Sequence, residues 1–345
     1  SVRVEVAIAS GPGFSTSWNG ATYVGGAEQW NGTTFVGDSS GTWTYSALSG
    51  AFTSGVECRV KSRGRDKALN TEASFVTGTN QNTFLFDTAA PVSTVTTPAP
   101  GALVGDLPTL SGTAADKPDA PLLRAGLSVV EVQITSQVPA GAAISYWQGT
   151  AWSTATVTWV PATGGAAWTY SPASTSSWWT SGGTYKVRSR GTDLASAANA
   201  ESPGQLTFTF DNTPGTTGGL VPANGANLTG LATISGTAAD TDPDAGGPLT
   251  MAGLNRVEVR LQDLQYASTY WAAGGWTTVA TWVTATSTAN WTLTMPATAW
   301  VDGHQYEVTA RSVDLASPAN TQTSFTPGTN QNTFRYDVGV PVSSV

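Results

Sequence analysis

The stretch 78-GTNQNTFLFDTAAPVSTV-95 returns as 328-GTNQNTFRYDVGVPVSSV-345, with its first seven residues unchanged. A degenerate version, 205-QLTFTFDNTPGTT-217, lies between the two, and its Asp211 sits 124 positions after Asp87 and 126 before Asp337. A spacing that returns turns one folding problem into the same problem solved several times. The 345 residues therefore divide into units of about 125.

Working outward, the second unit gives a run of short β signals. Its first two strands are read at 92-VSTVTTPAPGALVGD and 108-PTLSGTAAD, followed by an acidic loop, 116-DKPDAPLLRAG. In 127-LSVVEVQIT, Val130, Val132 and Ile134 alternate with Glu131 and Gln133, the period-2 pattern of a half-buried strand. A hairpin is expected at 145-SYWQGTAW, closed near Gly149 and Thr150, followed by 156-TVTWVPAT and 166-AAWTYS. In 184-TYKVRSRGTD, Tyr185, Val187 and Ser189 should face inward and Lys186, Arg188 and Arg190 outward. The third unit repeats the order: 233-TISGTAAD, 254-LNRVEVRLQ, 270-YWAAGGWTTVATWV, 306-YEVTARSVDLAS and 333-TFRYD.

Seven or so short strands per unit, separated by turn formers, predict an all-β fold of tandem immunoglobulin-like Greek-key sandwiches in an elongated array. A β-propeller is the other all-β solution, but the period holds too many strands for one blade. The predicted units are 1–88, 89–212, 213–338 and a fragment, 339–345, that opens a further one. The first begins at the third-strand position, 1-SVRVEVAIA, without its first two strands. Two arrangements account for that frame: a window from a longer tandem array, or a subunit whose C-terminal segment supplies a strand to the next copy.

Composition narrows the functional classes. Only 11% of residues are charged, against roughly 25% in ordinary soluble domains. The net charge of −8 argues against nucleic acid as a partner. One cysteine allows no internal disulfide framework. No run of 18 apolar residues suggests a membrane span. Few Cys, few Met and many Thr suit an extracellular or cell-surface location.

The succession F-D-x-x-x-P, SGTAxD, VEV, YW-x-G-x-x-W and Y-x-V-x-x-R-x-x-D-x-A resembles the bacterial Ig-like tandem repeats of large extracellular and surface proteins. The resemblance spans essentially the whole chain. It implies a stalk, spacer or filament body, and the expected partners are neighbouring modules or other copies of the protein, end to end; low charge and abundant Thr would let such rods also lie side by side.

Three constellations carry candidate chemistry. In an Ig-like sandwich the loop after the second strand and the last hairpin share the end at which the linker enters. Asp87 should then approach Asp116, Asp119 and Asp193, and Asp211 should approach Asp240, Asp242, Asp244 and Asp314. Converging carboxylates suit Ca2+, which takes six to eight hard oxygens. The same aspartates also serve as turn caps through side-chain-to-backbone bonds. Second, Trp147, Trp152, Trp159 and Trp168 recur as Trp271, Trp276, Trp282 and Trp291, as core residues do. Trp178 and Trp179 lack an evident counterpart and are the candidates for an exposed platform stacking on surface glycans. Third, Arg59, Lys61, Arg63 and Arg65 share one strand face and are read as a solvated stripe.

Cys58 falls where the other units carry Tyr185 and Tyr306, so it should be buried, and His304 beside Asp302 reads as a surface turn residue. No paired catalytic carboxylates, phosphate loop or zinc spacing is evident. The sequence reads as a structural repeat segment that is not an enzyme, with a glycan- or cell-surface-binding module and a strand-donating filament subunit as alternatives.

Overall fold

The computed structural model describes residues 3–138, 141–172, 178–241, 249–266, 269–272 and 274–343. Among these the chain is all-β, its only helical segments being two three-residue 3-10 turns. No helix among the described residues is long and apolar enough to cross a membrane.

In the second repeat the larger sheet runs, edge to edge, through Leu103–Val104, Gln205–Phe210, Gly183–Asp193, Leu127–Ser136, Ser145–Trp147 and Trp152–Ser153. The facing sheet runs Thr163–Gly164, Ala167–Tyr170, Leu110–Ala115 and Val92–Thr97. The third repeat has the same pair of sheets, centred on Leu254–Asp263 against Gln305–Asp314 and on Thr233–Ala239 between its neighbours. Both central ladders carry a register shift at their start, Leu127/Val129 and Leu254/Arg256. Such a bulge bends the strand locally and increases its twist.

The expected alternation is met along Gly183–Asp193, whose residues are buried at every odd number and solvent-touched at every even one. Between the sheets lie Val130, Val132, Ile134, Tyr185, Val187 and Phe208 in the second repeat, and Val257, Val259, Leu261, Tyr306, Val308 and Phe334 in the third. The glycine of SGTAAD has a structural cause. A Cβ on Gly112 would lie 2.3 Å from the Trp168 ring, and one on Gly236 would lie 2.5 Å from Trp291. Both indoles are wholly buried and donate their N–H to the carbonyls of Thr113 and Thr237.

The first repeat has a sheet of Tyr23–Gly25, Thr16–Trp18, Arg3–Ser10, Val56–Arg65 and Gln81–Phe86, faced by the pair Thr34–Gly37 and Gly41–Thr44. Its buried core is smaller: Val6, Ile8, Trp18 and Ala51. Cys58 is fully buried, as its alignment with two core tyrosines requires.

Two readings of the outer faces change. The alternating cations are not simply solvated. Arg63, Arg190 and Arg311 each lie over an indole, Trp30, Trp159 and Trp282, at 3.9, 4.2 and 4.0 Å, and each pairs with a glutamate, Glu5, Glu131 and Glu258, at 2.7 Å. Trp159 and Trp282 therefore belong to an outer Glu–Arg–Trp stack and not to the core. His304 is mostly covered, its Nδ1 2.8 Å from Asp263 Oδ2 on another strand, and not a free turn residue beside Asp302.

Candidate functional site

The topology brings the linker aspartates to the loops of the following repeat, twice in the same way. One carboxylate oxygen each of Asp87, Asp116 and Asp193 lie within 4.8 Å of one another, and so do those of Asp211, Asp240 and Asp314. Asp116, Asp193, Asp211 and Asp314 are no more than 3% exposed.

Each group is held from both sides of the junction. Asp87 accepts from Ser54 Oγ behind it and from the Ala125 N–H ahead, at 3.2 and 2.8 Å. Asp211 accepts from Ser181 Oγ and the Ala252 N–H at 3.0 and 2.7 Å. Asp193 caps its own turn, taking the N–H groups of Ala195 and Asn199, and Asp314 does the same with Ala316 and Asn320. The amides Asn199 Nδ2 and Asn320 Nδ2 then donate to the backbone carbonyls of Asp87 and Asp211. The turn-cap and converging-carboxylate readings thus describe the same atoms.

Two glycines complete the joint. The carbonyl of Gly55 accepts the N–H of Leu123, and that of Gly182 accepts the N–H of Thr250, both at 2.9 Å. Gly55 and Gly182 have φ of +81° and +73°, and a Cβ on either would sit 2.5 Å from the next repeat, at Pro118 or Leu249. Only glycine suits that backbone and that clearance. The T-S-G before the long strand and the D-L-A-S-x-A-N after it are the sequence traces of these residues; their repetition at 53–55 and 180–182, and at 193–199 and 314–320, was available as a signal.

Asp119 is outside the cluster. It is exposed and bonds Lys117 Nζ at 2.7 Å, and that ammonium holds its carboxyl below the usual range. Asp242 and Asp244 lie outside the described residues.

The donor set fits a hard cation unevenly. In the first group every carboxylate oxygen already accepts at least one hydrogen bond. In the second, Asp240 Oδ2 accepts the Gly253 N–H at 2.6 Å, but its buried Oδ1 has no partner among the described residues. Burial, then the charges of Asp211 and Asp314, push the Asp240 carboxyl up to about 6. An orphaned oxygen beside two carboxylates is a place for a proton or a cation.

The glycan platform does not exist at Trp178 and Trp179. They are 3% and 8% exposed and stack on each other at 3.9 Å inside the second core. Trp179 donates to the Leu107 carbonyl, and Trp300 donates to that of Leu231, so Trp300 is its counterpart. The place of Trp178 is held by Ala299: their carbonyls receive the indole N–H of Trp152 and Trp276 respectively.

No family model and no curated protein matches the sequence. Among solved structures, the chain is similar to a tetra-tandem repeat in the extending region of a large adhesion protein, with 17% identity over 97% of this chain and 67% of that one, TM-score 0.28. It is also similar to a 1.5-MDa bacterial ice-binding adhesin, with 11% identity over 98% of this chain and 87% of that one, TM-score 0.33. A third is the three N-terminal domains of the bacteriophage RB49 outer capsid protein Hoc, with 12% identity over 96% and 99%, TM-score 0.37.

Proposed function

We propose that this chain is a structural segment of an extracellular fibre, filament or adhesin stalk, built from units at 1–88, 89–212 and 213–338 with residues 339–345 opening another, and that it extends and stiffens without catalysing a reaction. The repeated joint carries the reading. A linker aspartate bonded to both neighbours, a carbonyl-to-amide bond and a half-buried asparagine leave the linker few free rotations. A chain of sandwiches joined in this way transmits force through hydrogen bonds loaded together. Its chemistry-bearing side chains serve structure: the aspartates cap turns, and the single histidine pairs with Asp263.

In the same reading Ca2+ binds at the junctions, held by Asp211, Asp240 and Asp314 and, less strongly, by Asp87, Asp116 and Asp193. The ion would neutralise three crowded carboxylates and tighten the joint. Negative-stain images of single chains test the mechanical role: beads in a line with narrow angular spread support it, and beads at random angles contradict it. An adhesive role would have to come from loop tips, since the tryptophan pair is buried; a glycan array that returns a specific ligand would favour that role over a spacer.

A further inference from the structure

The larger sheet of the third repeat carries polar side chains where the other repeats have none of their kind. Its strands Ala226–Leu228, Gln331–Tyr336 and Gln305–Asp314 lie side by side. Asn227 stands opposite Arg335, and Arg335 opposite Gln305. The matching row in the second repeat is Leu103, Thr209 and Thr184, and in the first the Gln305–Arg335 pair is Glu57 and Leu85. The row and Gln265 line a cleft of about 380 Å³. The ladders are the same in each repeat, so the scaffold does not call for this set of residues.

The lining groups are free to bind. Arg256, Arg260 and Arg311 each pair with a glutamate, which leaves Arg335, exposed, as the one unpaired arginine among the described residues of this repeat. Asn227, Gln265 and Gln305 are exposed too, and each carboxamide offers a donor and an acceptor. Tyr266 follows Gln265 and is 60% exposed. Its ring stands edge-on to His304, with 5.4 Å between centroids, and His304 is fixed by Asp263 at 2.8 Å. His304 lies between the lining residues Gly303 and Gln305. Gly183 and Ser136 take the places of His304 and Asp263 in the second repeat, so this support for an aromatic face is also particular to the third.

We propose that this cleft binds a hexuronate residue of an acidic polysaccharide. The planar guanidinium of Arg335 takes the carboxylate through two parallel N–H bonds. The carboxamides of Asn227, Gln265 and Gln305 exchange hydrogen bonds with the sugar hydroxyls, and the Tyr266 ring lies against an apolar sugar face. One arginine among three neutral amides suits a carboxylate on a hydroxyl-rich body; a phosphate draws several cations or backbone N–H groups. The volume falls within the range of small-molecule sites. A following repeat leaves such a row open: in the second repeat, which has one, Thr184 is exposed and Thr209 half-buried. There the Ser317 turn bonds beside Leu103 at Gly105, where a Cβ would lie 2.1 Å from the Pro318 carbonyl. The third repeat has Thr229 at that position, so the Asn227 edge does not accept such a turn. The site is independent of the stalk reading.

The test is isothermal titration of the full chain with tetramers of galacturonate, glucuronate and mannuronate, each beside a neutral counterpart whose carboxyl groups are reduced to alcohols. EDTA is present throughout, so that no cation bridges the sugars to the aspartate joints. At least one acidic tetramer should bind at a single site, its neutral counterpart about tenfold more weakly or not at all, and Arg335→Gln should weaken it by about the same factor. Tyr266→Ala should weaken it less, and Arg188→Gln, on the larger sheet of the second repeat, should leave it unchanged. Thermal melts of the variants confirm that they are folded. Absence of binding by all three acidic tetramers, equal affinity for the neutral ones, or equal losses in Arg335→Gln and Arg188→Gln overturns the proposal.

Discussion

The first and second repeats carry the same motifs and end in the same joint, yet they bury them differently. Trp168 is sealed and Trp43 is not: Ala167–Tyr170 is paired on both sides, with Leu110–Ala115 and Thr163–Gly164, while among the described residues Gly41–Thr44 pairs only with Thr34–Gly37. The contrast continues at the junctions. Ahead of the second junction, Ser317 of the D-L-A-S-P-A-N turn lies along Leu103–Val104, accepting the Gly105 N–H and donating to the Leu103 carbonyl, both at 3.0 Å. The matching turn after Asp193 makes no such pair of bonds among the described residues. A motif sets what a segment can do; the edge strand of its neighbour decides whether it does it.

The contrast breaks most visibly at the tryptophans. Trp168→Ala should cost about 3–5 kcal/mol, as expected for a fully enclosed indole, while Trp43→Ala should cost well under half of that. Chemical denaturation of the two variants would separate them, and equal losses would mean that the first repeat is closed in solution. Next come the linker aspartates. Asp211→Ala strands Ser181, Thr213 and the Ala252 N–H at a site with no solvent exposure. It should cost roughly 2–3 kcal/mol, and Asp87→Ala somewhat less.

A smaller effect is expected at the latch. A Cβ on Gly105 would lie 2.1 Å from the Pro318 carbonyl. Gly105→Ala should therefore cost about 1–2 kcal/mol and speed exchange at Ser317 without changing that at Ala195. The third repeat has Thr229 at the Gly105 position, so its edge is closed to a latch of this shape.

The smallest effect concerns pH. The Asp240 carboxyl titrates near 6 in the folded chain, above its ordinary 3.8. Below about pH 4 both folded and unfolded chains hold the proton and no penalty arises. As pH rises toward 6 the unfolded chain loses it first, so stability in chelator should fall and then level off above 6. The loss should be on the order of 1 kcal/mol after allowing for solvent screening of a half-covered group. Asp240→Asn should flatten the slope. Ca2+ at pH 7.5 should restore what deprotonation removes, and identical melting in Ca2+ and EDTA would eliminate the ion while leaving the slope.

Much of this was legible from residue order. Alternation along 184–193 gave the inward and outward faces, and strand succession in a sandwich gave the meeting of Asp87 with Asp116 and Asp193. Other features were not. Trp178 and Trp179 sit in an irregular segment where no period assigns a face, and their burial follows from Trp152, Tyr185 and Phe208 closing around them. Arg190 over Trp159 and the Ser317 latch are contacts between segments far apart in sequence, which no local pattern encodes. Asp119 carried the right chemistry but bonded the lysine two residues before it.

The central claim is that successive sandwiches stand in line, held by aspartate joints, and small-angle X-ray scattering of the 345-residue chain tests it most directly. Three units with strands of about 30 Å laid end to end give a length near 100 Å and a radius of gyration of roughly 30 Å. A single compact body of this chain length would give about 20 Å. A value close to 30 Å that grows more scattered in Asp211→Ala is the predicted result; a value near 20 Å would contradict the account.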